Sequence, residues 1–261
     1  MPITPEVKTE NAAVKAAALR VISNFGLCLS ESRLLCFLDD EDAHDVSLDE
    51  LGPANRGQYR SIHDSSDLNG LPSAVKDCIC PLDFTGRPTW RRIDDLVYLK
   101  RSACVDEVGL TMTLAHELQH AIQHAKVRKL WATNTLASWF LIRGLDKNAV
   151  EALELTWASI PIELEARIVS KRVAECLFGE ERVTQYIEKR IAERVTEADV
   201  ADWKFIRKLL PSSSVDLVGS TKILFEQLRG HRPGLEELLR KMKEDGPDFS
   251  DIDLDACFED A

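Results

Sequence analysis

The chain has no apolar run approaching the roughly 18 residues that a membrane-spanning helix requires. It has no excess of positive charge either. With 33 basic against 44 acidic residues, the formal net charge is −11. Phosphate backbones and anionic membranes call for a concentrated basic surface, so neither is expected as a partner. The seven cysteines are an odd number and lack paired zinc-ribbon spacing. Their nearest pair, Cys78 and Cys80, is too close for an ordinary disulfide, and reduced thiols of a cytoplasmic protein are expected. The first residues mix Glu6 and Glu10 with Lys8 and lack the apolar run of a signal peptide. Export by a signal-independent route leaves no mark of this kind.

What is present describes an ordinary globular chain. Its 261 residues are 44% hydrophobic and 30% charged, enough to bury a sizeable core. From Pro5 to Phe25 the apolar positions Val7, Val14, Ala18, Val21, Ile22 and Phe25 recur at near-helical spacing, and Gly26 supplies a stop. An apolar run at Leu34–Leu38 follows, then the acidic stretch DDEDAHD, read as a solvated loop. From Gly52 to Gly86 the chain is rich in Gly, Pro, Ser, Asn and Asp, which suits loops and short strands. LVYLK, residues 96–100, is the best strand candidate.

After Asp106 the pattern changes. Leu110, Leu114, Leu118, Ala121, Ile122 and Ala125 repeat every three or four residues, predicting a helix over 107–128. Further helices are predicted near 131–143, 147–158, 161–178, 181–195, 197–210, 215–229 and 234–244. The fold class expected is α+β and predominantly helical, with a small sheet before the long helix and a helical bundle after it. Four segments follow: 1–90, an N-terminal helix with irregular and short-strand structure; 91–178, a core built around the long helix; 179–246, a C-terminal helical region; and 247–261, an acidic tail. Asp251, Asp253 and Asp255 alternate in that tail, but the glycine and terminal glutamate of a calcium loop are missing. TLASWFLI, residues 135–142, suits a buried helix. Cys104 has no activating neighbour in sequence and is expected to be a core thiol.

The chemistry is concentrated in TMTLAHELQHAIQH, residues 111–124. His116, Glu117, Leu118, Gln119 and His120 spell H-E-x-x-H. On a helix the two histidines stand one above the other, so both can reach one metal ion, while Glu117 can address water without being a ligand. With six histidines in the chain, the pattern arises by chance in on the order of one such sequence in a hundred, which favours a site over an accidental polar stripe. Neutral imidazole is a preferred zinc donor, and a catalytic zinc takes three protein ligands and leaves a position for water. His124 continues the stripe, but eight residues of straight helix put it about 12 Å from His116. It therefore supports the site or faces solvent rather than sharing the metal. The third ligand is sought in IPIELEARIVSKRVAEC, where Pro161 opens a helix and Glu163 shares a face with Ala166 and Ser170. Glu163 is the leading candidate and Glu165 the alternative.

Taken together, HELQHAIQ and PIELEAR resemble the zincin-like metallopeptidases of the glutamate-zincin type, in which H-E-x-x-H is followed by E-x-x-A on a later helix. The histidine-ended zincin pattern is absent, because Gln123 and Lys126 stand where it needs glycine and histidine. The resemblance covers residues 90–178. It implies His116, His120 and Glu163 as zinc ligands, Glu117 as catalytic base, and an edge strand for extended substrate, matched by 96–100. Better-known members carry Asp four positions after the glutamate ligand, where this chain has Arg167. Tyr98, Arg167 and Tyr186 are the candidates for an oxyanion donor or substrate contact. The function expected is zinc-dependent hydrolysis of peptide bonds in a protein or peptide substrate, through a zinc-bound water activated by Glu117. The alternatives are a zinc-stabilised helical binding protein that hydrolyses nothing, and a helical adaptor without metal.

Overall fold

LLCFL at Leu34–Leu38 is apolar at every position and too short for a helix, a pattern that fits a strand covered on both faces. In the computed structural model it forms β2 (Leu34–Leu38), inside a four-stranded sheet of order β1-β2-β4-β3. The other strands are β1 (Glu6–Lys8), β3 (Gly57–Ser61) and β4 (Asp95–Leu99). β1, β2 and β4 run parallel, and β3 closes the sheet antiparallel to β4. The structure describes residues 5–29, 33–38, 56–62, 73–89, 93–130 and 160–217, with single positions at 91, 158, 219, 220 and 223.

Helices make up most of the described chain: α1 (Ala12–Phe25), α2 (Ser73–Ile79), α3 (Arg101–Cys104), α4 (Glu107–Leu130), α5 (Pro161–Phe178), α6 (Glu180–Glu193) and α7 (Glu197–Lys208). The expected mostly helical α+β class is what the structure has. Predicted helices at 131–143 and 234–244, most of 147–158 and 215–229, the acidic loop and the acidic tail lie outside the described residues. Among the described residues no helix is long and apolar enough to cross a membrane. Cys36, Cys78, Cys80, Cys104 and Cys176 are free thiols.

The sheet alternates its side chains between two cores, as strand geometry requires. Cys36, Val97 and Leu99 join residues of α1 and α4, together with Val173 of α5, on one face. Leu35, Leu96 and Tyr98 pack with Val75 and Ile79 of α2 on the other. The register aligns Val7, Cys36, Val97 and Tyr59 in one row across all four strands. A third core joins Val108 and Met112 of α4 to Ala174, Val183, Tyr186, Ile187 and Ile206 of α5, α6 and α7.

Two expectations about elements need correction. The first helix does not begin at Pro5: Glu6–Lys8 is a strand, and the helix starts only after Asn11. The Asn11 carboxamide oxygen accepts from the backbone N–H groups of Ala13 and Val14 at 3.0 and 3.2 Å, which fixes the start there. The 96–100 segment is a strand, but not an edge strand, because β4 is bonded to β2 on one side and β3 on the other. Its complete burial follows from that interior place.

The chain divides into two compact units, Met1–Ile122 with Ala166–Ser213, and Gln123–Glu165 with Ser214–Ala261. The first contains the sheet and its three cores. The second contains the last residues of α4 and the first turn of α5, opened by Pro161 as predicted.

Candidate metal centre

α4 is buried almost all round. From Val108 to Gln123 every residue is buried except Thr113, His116 and His120, and His124 continues that partly open line. The spacing of three, four and four marks a single stripe along one side of the helix. Between Val108 and Gln123 the two imidazoles of H-E-x-x-H thus lie on the side of the helix that remains accessible.

Their geometry is convergent. The rings of His116 and His120 stand perpendicular, with centroids 4.7 Å apart and Nε2 atoms 3.1 Å apart. Two donors bound to one tetrahedral zinc at 2.0–2.1 Å would be separated by about 3.3 Å, close to this spacing. The third member is Glu163, in the first turn of α5 and itself buried. Ligand atoms of His116, His120 and Glu163 all lie within 4.8 Å of one another, and this group can hold a metal ion. Two imidazoles and one carboxylate form a donor set well suited to a divalent cation with a position left open. Ala166 and Ser170, which share the Glu163 face of α5, are both buried.

Glu165 is not in this group. Its Oε2 accepts a hydrogen bond from Gln123 Nε2 at 2.8 Å. His124 is not part of the ligand group. Glu117 is buried on the side of α4 that meets β3. A Cβ built on Gly57 would lie 3.2 Å from both Cγ and Oε1 of Glu117, so only a glycine lets the strand come this near. The strand at the end of the sheet beside Glu117 is therefore β3, the place assigned to 96–100 by resemblance.

The three oxyanion candidates are engaged elsewhere. Tyr98 lies on the sheet face that packs against α2, opposite the α4 side, and stacks on Phe37. Arg167 donates to Asp202 Oδ2 at 2.6 Å, which turns it toward α7. Tyr186 accepts a hydrogen bond from Arg56 Nη1 at 2.6 Å and packs edge-on against Trp203. Burial pushes the Tyr186 phenol pKa above its ordinary value. It belongs to the core at the start of α4, where its hydroxyl lies 2.6 Å from the place a Gly109 Cβ would occupy.

Sequence reasoning missed Tyr59. Its ring lies 6.4 Å from that of His120, and its hydroxyl donates to Asp95 Oδ1 at 2.5 Å. Asp95 is completely buried at the start of β4. The available signal was the β-prone Tyr59 within GQYRS, but its neighbours in the chain read as loop. Compared with protein-family models, curated proteins and solved structures, the chain matches none at a significant level.

Proposed function

We propose that the chain is a zinc-dependent metallopeptidase in which His116, His120 and Glu163 hold the metal and Glu117 is the catalytic base. One observation carries this reading: one ring nitrogen each of His116 and His120 and a carboxylate oxygen of Glu163 lie within 4.8 Å of one another, on the partly open stripe of α4. A structural zinc is normally closed by four protein ligands, whereas three with an adjacent buried carboxylate suit catalysis.

When bound, zinc supplies Lewis-acid polarisation of a carbonyl and lowers the pKa of coordinated water toward about 7. The chain's own residues do the rest. Glu117 follows His116 directly, so it leaves α4 at a different angle from both imidazoles and stays out of the ligand set. From there it takes a proton from the attacking water and returns it to the leaving amine. β3 runs beside Glu117 at the end of the sheet, in the place where an extended peptide would be held by main-chain hydrogen bonds. A protein or peptide substrate in extended conformation is the class this supports.

The test combines metal analysis with turnover. Purified protein is expected to contain one zinc per chain and to cleave an unfolded, fluorescently labelled protein. His116→Ala should lose both properties. Glu117→Gln should keep zinc and lose hydrolysis by at least about 10²-fold, the lower range for a general base. Full activity in Glu117→Gln would overturn the mechanism, and zinc-loaded protein inert toward every unfolded substrate would overturn the hydrolase.

A further inference from the structure

We infer that Gln123 is a positioning residue whose side-chain amide fixes the first turn of α5, so that Glu163 rather than Glu165 faces the metal. The inference rests on the metal reading above. Gln123 follows His120 by three residues and is 3% exposed. Its amide nitrogen has two hydrogens, and each has an acceptor: the Ile162 carbonyl at 2.9 Å and Glu165 Oε2 at 2.8 Å.

Those acceptors bracket Glu163 along the chain. One is backbone and sets how far α5 advances along its axis; the other is a side chain and sets how the turn is rotated. Side chains two residues apart leave a helix about 200° apart, so Glu163 and Glu165 cannot exchange roles without turning the helix. With Glu165 held by Gln123, Glu163 is the acid left to meet the imidazoles. Buried amides of this kind are costly to leave half-satisfied, which makes the two-point attachment a stiff one. Groups that orient a metal ligand without touching the metal typically change affinity by 10- to 100-fold when removed.

Gln123→Met keeps the length of the side chain and removes both donors. Zinc affinity is measured by competition with a chromophoric chelator, on folded protein well below its melting temperature. The expected result is a loss of about 10- to 100-fold, accompanied by a changed ligand-field spectrum in the cobalt-substituted protein. A merely structural amide would lower the melting temperature of the metal-free variant and leave zinc affinity untouched; that outcome overturns the inference. Should Gln123→Met fail to fold, Glu165→Ala carries the test, since it removes one arm only and should cost several-fold in affinity, while no loss overturns. The wild-type titration separates the two layers. If wild-type protein binds no zinc, the metal reading itself fails and this inference with it; if it binds zinc and both variants match it, only the inference fails.

Discussion

The approach of β3 to α4 depends on one missing methyl group. A Cβ on Gly57 would stand 2.8 Å from Thr113 Cγ2 and 3.2 Å from Glu117 Cγ. Carbon atoms in contact prefer about 3.5–4.0 Å, so Gly57→Ala forces a displacement of roughly 0.7 Å or more. Neither side yields easily. Gly57 is in register with Leu99 of β4, and α4 is packed along most of its circumference. Overpacking of this kind costs about 1–3 kcal/mol. Alanine also restricts the unfolded chain, which offsets about 0.4–1 kcal/mol. At the midpoints of these ranges a net loss of about 1.3 kcal/mol follows, equivalent to a melting temperature lower by about 3–5 °C for a chain of this size.

The decisive assay is a double-mutant cycle read by thermal or urea unfolding of metal-free protein. Thr113→Ser removes the Cγ2 methyl responsible for the closest contact. Gly57→Ala combined with Thr113→Ser should therefore recover stability beyond the sum of the single changes, with a coupling of at least about 0.5 kcal/mol. The Glu117 contacts at 3.2 Å persist in the double variant. If Glu117 is the base, hydrolysis should remain depressed even where stability returns. A Gly57→Ala protein as stable as wild type, or a cycle with no coupling, would refute the claim that this glycine sets the distance between strand and helix.

Two further outcomes follow from buried groups. Tyr59→Phe removes a hydroxyl that donates at 2.5 Å to the fully buried Asp95, and should cost about 1–3 kcal/mol in urea unfolding; an unchanged midpoint would show that Asp95 does not need that donor. Complete burial pushes the Cys36 thiol from the usual 9.0 up to about 12. The folded state holds that proton more tightly than the unfolded chain, so this contribution to stability is fully present below pH 9.0 and is lost as pH rises through about 12. Cys36→Ala should flatten the fall of melting temperature over that window, and an equally steep fall would assign it to other groups.

What the sequence revealed of this molecule divides by the range of the forces involved. The long helix and its histidines were legible because periodicity and motif reside on one element, and Pro161 and Gly26 mark helix ends by their own backbone preferences. β1 was not legible, since Val7 lies at helical spacing from Val14 and the competing signal, the Asn11 cap, is four residues further on. Short strands were expected between Gly52 and Gly86, but the place of β3 was not legible, because its pairing with β4 and its approach to α4 through Gly57 are tertiary facts. LVYLK shows the same limit in reverse. Its β-prone residues between charges mark a strand, and their unbroken apolar character already suits an interior position, which the structure gives it.

The candidate site follows the same rule. Glu163 stands in the first turn of α5 and Glu165 two residues further on. The helix dipole favours the first-turn acid only slightly, and no local property decides which of them meets the imidazoles. The choice is made by Gln123, which lies some 40 residues earlier on a different helix and binds Glu165. A buried glutamine with both amide hydrogens on one turn of another helix is informative for a physical reason: a core position filled by leucine would pack as well at lower desolvation cost, and would fix neither rotation nor register. Gln123 is therefore better understood as the brace that holds a distant acid toward two imidazoles than as ordinary core.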